Sequence, residues 1–368
     1  MNRKFFITSM LALATLPLSA QWIRTSTPND TLRSVRSLGN GNVVLSIYAP
    51  EAKTVSIGGD IMPWGKKLDV RRADNGVWSV VVPEVKDGVY RYHFVVDGVN
   101  VYDPKSPTAG ETSALAFIGS GKEFYAMKQV PHGAVARRYY ESKNLKMTRR
   151  LHVWTPAGYE KSTDKLPVLY LIHGGGDTDN AWPGVGAAGF ILDNLLAEDK
   201  IKPMIVVMPN GSIPTQDLEG EVPLFEEDLV KSVIPFIESN YRVMADKDHR
   251  AMAGLSMGGM ETLETMLKDY DKFAYFWVLS SGWFANNKQA YANYQQQLNN
   301  ISRNFNKGVR QLVFTQGGPE DIAYRNGKAM LRLFDKAGIK YEYTEAPGGH
   351  TWYTWRNNLY QLAQRIFK

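Results

Sequence analysis

Gly254-Leu255-Ser256-Met257-Gly258 decides how this chain reads. The pattern G-x-S-x-G places a serine on a sharp turn between a strand and a helix, where its hydroxyl stands exposed as a nucleophile. Its glycines are a steric requirement, because a Cβ at either flank would collide with the neighbouring strand or helix. The surroundings follow in the order such a turn needs. His249-Arg250-Ala251-Met252-Ala253 is a short run suited to a buried strand, and Met260, Leu263, Met266 and Leu267 then recur at helical spacing.

A serine hydroxyl is a poor nucleophile near neutral pH, so it needs a base, and the base needs a carboxylate to orient it. In the hydrolase fold built around this turn the chain order is serine, acid, histidine. Of His93, His132, His152, His173, His249 and His350, only His350 lies downstream of Ser256. It sits in the glycine-rich loop Ala346-Pro347-Gly348-Gly349-His350-Thr351-Trp352, after an expected strand at Lys340–Thr344. The acid belongs after the preceding strand, which Val309–Thr315 provides, and Gln316-Gly317-Gly318-Pro319-Glu320-Asp321 follows it. Asp321 is preferred there, with its neighbour Glu320 as the alternative.

The oxyanion of a tetrahedral intermediate needs aimed donors, each contributing roughly 3 to 4 kcal/mol. The backbone N–H of Met257 is one candidate. The apolar run Val168-Leu169-Tyr170-Leu171-Ile172 suits a strand buried on both faces, and His173-Gly174-Gly175-Gly176 follows it in the HGGG pattern of an oxyanion loop. Gly175 or Gly176 is the expected second donor, with His173 structural.

A length of 368 residues points to two domains. The net charge of +6 falls by two if Arg3 and Lys4 leave with a leader, and no basic run resembles a nucleic-acid footprint, so no nucleic acid partner is expected. Residues 1–20 read as a cleaved signal peptide, with basic Arg3-Lys4, a mostly apolar Phe5–Leu18 and small Ser19-Ala20. The expected location is therefore periplasmic or secreted, with no membrane span in the mature protein, because the apolar stretch falls short of the roughly 20 residues a spanning helix needs. The chain has no cysteine, which excludes disulfides and a thiol nucleophile. The histidines show no paired ligand spacing, so neither metal nor other cofactor is expected.

Residues 21–125 are written differently from the rest. Short β-rich runs at 43–48, 54–57, 77–82 and 90–96 are punctuated by Ala49-Pro50-Glu51, Gly58-Gly59-Asp60, Asp74-Asn75-Gly76 and Lys86-Asp87-Gly88. That spacing argues for an antiparallel β-sandwich. Residues 131–368 alternate strands with amphipathic helices, including Phe190–Leu196 and Phe225–Tyr241, as a mostly parallel sheet covered on both faces requires. The boundary is expected near residues 120 to 135.

Leu171-Ile172-His173-Gly174-Gly175-Gly176, the run Lys202–Gly211, the serine turn and Gly348-Gly349-His350-Thr351-Trp352 with Trp355-Arg356 together resemble the feruloyl and acetylxylan esterases, a family of carbohydrate esterases with the α/β-hydrolase fold. Tyr48-Ala49-Pro50-Glu51-Ala52, Asn75-Gly76-Val77-Trp78 and Tyr92–Gly98 are similar to the immunoglobulin-like early-set module found in front of glycogen-debranching enzymes. The implied fold class is α/β, an α/β-hydrolase domain preceded by an all-β immunoglobulin-like sandwich. The resemblance implies a serine carboxylic-ester hydrolase that releases ferulate or acetate from xylan side chains, with a plant cell-wall polysaccharide or its oligosaccharides as partner. Trp352, Trp182 and Trp283 are candidates for contacting a feruloyl ring or a sugar, and Trp64 is a candidate sugar platform in the first module. Two rivals stand beside this reading: a siderophore trilactone esterase of the enterochelin type, which an arginine-rich pocket would favour, and a noncatalytic carbohydrate-binding protein that keeps the fold.

Overall fold

The computed structural model describes residues 25–368 except 64, 111–112, 216–217 and 287, together with the side chains of residues 218 and 219. The leader expected at residues 1–20 and the proposed platform Trp64 lie outside the described residues.

The amino-terminal module is two antiparallel sheets face to face. One holds β1 (Val35–Gly39), β2 (Asn42–Tyr48), β5 (Val77–Val82) and β4 (Arg71–Arg72) in the order β1-β2-β5-β4. In the other, β6 (Gly88–Val96) pairs with β3 (Val55–Gly58), β7 (Val99–Val101) and β8 (Ala114–Ile118). Successive side chains of a strand point to opposite faces, so Val43 and Leu45 of β2 and Val80 and Val82 of β5 meet Tyr92 and Phe94 of β6 in one core. This is the all-β, immunoglobulin-like sandwich expected from the turn spacing.

A single eight-stranded sheet organises the remainder. Its strands are β9 (Ala134–Ser142), β10 (Met147–Thr155), β11 (Val168–Ile172), β12 (Ile205–Pro209), β13 (Arg250–Leu255), β14 (Tyr275–Leu279), β15 (Gln311–Gln316) and β16 (Glu342–Glu345). The order is β16-β15-β14-β13-β11-β12-β10-β9, parallel from β16 to β12, with antiparallel β10 and β9 at one edge. Every residue of β11, β12, β13 and β14 is buried, because helices cover both faces.

Alternation along the strands separates the two faces. Leu169, Leu171, Ala251, Ala253, Trp277 and Leu279 pack with α1 (Ala188–Ala197) and α7 (Trp352–Ala363). Tyr170, Ile172, Met252, Phe276 and Val278 face the other way, onto α4 (Met257–Asp269), α5 (Lys288–Gly308) and α6 (Tyr324–Ala337), with α2 (Leu218–Asp228) and α3 (Ile234–Asn240) on the same side. The helix expected over Phe225–Tyr241 is α2 and α3 joined through one π turn at Leu229–Val233. Strand β11 lies between β12 and β13, so the chain direction across the sheet reverses there. Open α/β sheets bind ligands at such a switch point, beyond the carboxyl ends of the strands.

Candidate active site

Strand β13 ends at Leu255 and helix α4 begins at Met257, leaving Ser256 between them at φ 52° and ψ −114°. A non-glycine residue there is strained and is held by its surroundings. Leu279 O accepts the Ser256 N–H at 2.9 Å, and the Ser281 hydroxyl donates to Ser256 O at 2.6 Å. The flanking glycines are compulsory. A Cβ on Gly254 would lie 2.0 Å from Gly258 O, and one on Gly258 would lie 2.4 Å from His173 O.

Three loops at the carboxyl ends of β13, β15 and β16 bring the expected side chains together. His350 Nε2 is 3.0 Å from Ser256 Oγ, and His350 Nδ1 is 2.8 Å from Asp321 Oδ1. Asp321 also accepts the Gly317 N–H on Oδ2 at 3.0 Å and the Ala323 N–H on Oδ1 at 2.9 Å. Burial alone pushes the Asp321 carboxyl up, but the hydrogen bonds it accepts, His350's foremost, outweigh it and hold the group below the usual carboxylate range. It is therefore a fixed negative charge beneath the imidazole. Glu320 points elsewhere: its Oε1 accepts the Gly348 N–H at 3.1 Å and ties down the loop that carries His350.

The register Ile172↔Gly254 between β11 and β13 delivers His173-Gly174-Gly175-Gly176 beside the serine. Gly174, Gly175 and Gly176 line the same cleft as Ser256 and His350. The N–H of Met257 belongs to the first turn of α4, whose donors have no partner within the helix. His173 is buried, with Nδ1 2.8 Å from Gly174 O and Nε2 accepting the Gly211 N–H at 2.9 Å. It braces the turn rather than facing the cleft.

The three candidate tryptophans part company. Trp352 lines the cleft, packed edge-on against Trp355, whose ring also meets that of His350 at 5.0 Å. Trp182 lies behind Trp352, its ring centroid 5.1 Å away and its N–H donating to Ile172 O. Trp283 does not reach the cleft: it is buried, stacked on Tyr294 at 4.1 Å and edge-on to Phe334. Helices α5 and α6 cover it.

Sequence reasoning missed the cleft's second wall, which the sandwich supplies. Val89, Tyr90 and Arg91 of β6, with Lys86, Asp87 and Asp60, face the serine loops across a space of about 750 Å³. Two arginines hold the modules together. Arg356 of α7 is buried, donates to Val185 O at 2.8 Å and to Val89 O at 3.3 Å, and lies 5.1 Å from the Tyr125 ring centroid. Arg91 pairs with Asp177 of the glycine loop and, through Nε at 3.0 Å, with Asp60. Burial works against the Arg91 charge, but Asp177 and Asp60 more than offset it.

The Esterase family model matches residues 142–366. The chain belongs to the esterase family. Its amino-terminal segment, residues 32–109, matches carbohydrate-binding module 48, the isoamylase N-terminal domain. An endo-1,4-beta-xylanase/feruloyl esterase of Xylanibacter ruminicola is 32% identical over 339 residues, covering 88% of this chain and 44% of that protein. Endo-1,4-beta-xylanase Y of Acetivibrio thermocellus is 29% identical over 262 residues, 64% of this chain and 23% of that protein. The chain thus spans less than half the length of these relatives. Among solved structures, the feruloyl esterase module of Clostridium thermocellum in complex with sinapinate is 26% identical with a TM-score of 0.56, covering 67% of this chain and 92% of that one. The enterobactin esterase of Shigella flexneri is 16% identical with a TM-score of 0.59 and covers 90% of this chain and 94% of that one, a likeness of fold alone. Among the described residues no helix is long and apolar enough to cross a membrane.

Proposed function

We propose that this esterase is exported and releases ferulate or acetate from xylan side chains through an acyl-enzyme on Ser256. The observation that carries the mechanism is the chain of contacts Ser256 Oγ, His350 Nε2, His350 Nδ1, Asp321 Oδ1, at 3.0 and 2.8 Å. With Nδ1–H donated to Asp321, Nε2 accepts the hydroxyl proton as Oγ bonds to the ester carbonyl carbon. The carbonyl oxygen takes the negative charge, and the N–H groups of Met257 and of Gly175 or Gly176 are the donors assigned to it. Collapse breaks the ester C–O bond, and His350 returns its proton to the departing alkoxide. Water repeats the cycle, giving its proton to Nε2 and releasing the acid and Ser256.

The substrate class rests on the similarity to the xylanase/feruloyl esterase across 88% of this chain and on the aromatic wall of Trp352 and Trp355, which suits a planar acyl ring. The siderophore reading draws on the two-module likeness to the enterobactin esterase. The cleft's charges weigh against it. Asp60, Asp87 and Asp177 line the same space as Lys86, Arg91 and Arg356, and both arginines are engaged with protein partners, so little cationic surplus is offered to an anionic catecholate. Parallel assays on methyl ferulate, acetylated xylan and a catecholate trilactone separate the readings. Turnover of either of the first two supports the proposal, whereas cleavage of the trilactone alone overturns it.

A further inference from the structure

Beyond the bridge formed by Arg91, Asp60 and Asp177, the cleft adjoins a second cavity of about 850 Å³ between the modules. The two spaces share Asp60, Arg91, Gly176 and Asp177 as lining. The second cavity sits against the antiparallel edge of the large sheet, with Arg91, Arg137 and Arg150 lining it beside Asp60 and Asp177. His152 of β10 pairs directly with Arg137 of β9, and Arg150, two residues before His152, shares its face of the sheet. His93 and Arg91, also two residues apart, face them from β6. Three guanidinium groups and two imidazoles therefore line one concave space.

A buried carboxylate fixes part of this array without occupying it. Asp179 has a fully buried side chain, 2.9 Å from Arg150 Nε, 2.8 Å from Arg150 Nη2 and 2.7 Å from His152 Nδ1. Burial alone raises its pKa, but the bonds from His152 and Arg150 outweigh that and keep the group ionised. Asp179 does not line the cavity; the lining carboxylates are Asp60 and Asp177, both engaged by Arg91. Arg137, exposed on the edge strand, has no carboxylate partner among the described residues. Among the described residues, no tryptophan, tyrosine or phenylalanine lines the space. Arg91 and Arg150 already donate to carboxylates, so what the space offers a ligand is chiefly the planar N–H fork of Arg137, which matches a carboxylate two bonds at a time.

We propose that this cavity is a subsite for a carboxylate-bearing sugar, a uronic acid unit on the same carbohydrate chain whose ester enters the Ser256 cleft. The proposal rests on the carbohydrate-esterase reading above. Its ligand carboxylate meets Arg137 and Arg150, with the His152 ring held in place by Asp179. The shared wall at Gly176 and Asp177 puts the uronic acid within one chain of the ester under attack.

The test is calorimetric titration of the full-length protein with xylotriose carrying a glucuronic acid branch and with unsubstituted xylotriose, at low salt. The acidic tetrasaccharide is expected to bind about tenfold more tightly, the worth of one charge-assisted hydrogen bond. Arg137→Gln should erase that preference and Arg137→Lys should restore part of it, with unchanged thermal unfolding confirming that both variants fold. Equal affinity for the two sugars, or a preference that survives R137Q, overturns the subsite. Methyl ferulate turnover by the same preparation separates the two proposals. Turnover with equal affinities removes the subsite alone, while a tenfold preference without turnover of any ester removes the esterase reading and leaves the subsite standing.

Discussion

Replacing Asp321 by alanine tests the assignment of the acid, and the geometry sets the size of the effect. Three donors converge on this carboxylate: His350 Nδ1–H at 2.8 Å, Gly317 N–H at 3.0 Å and Ala323 N–H at 2.9 Å. Alanine removes the charge that steadies the imidazolium and the acceptor that fixes which ring nitrogen carries the proton. In constellations of this kind the loss is about 10⁴-fold in kcat, or about 5.4 kcal/mol at 1.36 kcal/mol per decade. KM should hardly move, because Asp321 is only 3% exposed and lies behind His350. Stability should also fall, since each buried donor left unpaired costs about 1 to 3 kcal/mol. Glu320→Ala is the matched control. Its carboxylate accepts the Gly348 N–H and its own backbone N–H, so kcat should drop by less than about tenfold, the worth of one such bond. The assay is the saturating rate on methyl ferulate, with unfolding followed by circular dichroism. A D321A enzyme that keeps a tenth of its kcat while E320A loses a thousandfold would refute the reasoning and move the acid to Glu320.

Two further outcomes follow from the same structure. In Gly258→Ala the new Cβ would sit 2.4 Å from His173 O and 2.9 Å from Ile172 O, backbone atoms that must move. The glycine loop should then shift relative to Ser256, lowering the melting temperature and cutting kcat about 100-fold; wild-type rates in this variant would remove the steric argument for the turn. Glu261→Gln addresses the fully buried carboxyl on α4, which burial, reinforced by Glu221, pushes well above its ordinary value of 4.5. The folded state holds this proton more tightly than the unfolded chain, so wild-type stability falls as pH rises above the unfolded value. The neutral glutamine lacks that slope. The variant's melting temperature should gain on the wild type as pH rises above the unfolded value, and a pH-independent difference would contradict it.

How much of this was legible in the sequence differs by element. The serine turn was readable because its geometry tolerates only glycine at Gly254 and Gly258, and a steric demand of that kind is written in single residues. His350 was readable because the fold fixes chain order and leaves one histidine downstream. The buried strands announced themselves as apolar runs, whereas β9 did not. It is an edge strand whose exposed face carries charged and polar side chains, among them Arg137 and Glu141, and its pairing with β10 decides its conformation. Trp283 misled for a similar reason: an aromatic residue in the sequence says nothing of the Tyr294 ring that α5 lays upon it. The wall made by Val89, Tyr90 and Arg91 was invisible because it exists only where two modules dock. The pairs that dock them, Arg91 with Asp177 and Arg356 with the Val89 carbonyl, join residues 86 and 267 positions apart.

Reaction with a fluorophosphonate ester, followed by intact-mass and peptide mass spectrometry, tests the central claim most directly. An activated serine displaces fluoride and keeps the phosphonyl group on Oγ. The account predicts a single adduct per chain on the peptide containing Ser256, absent in Ser256→Ala and strongly slowed in His350→Ala. An unlabelled wild-type protein that still hydrolyses methyl ferulate, or a stoichiometric label on any other serine, would contradict it.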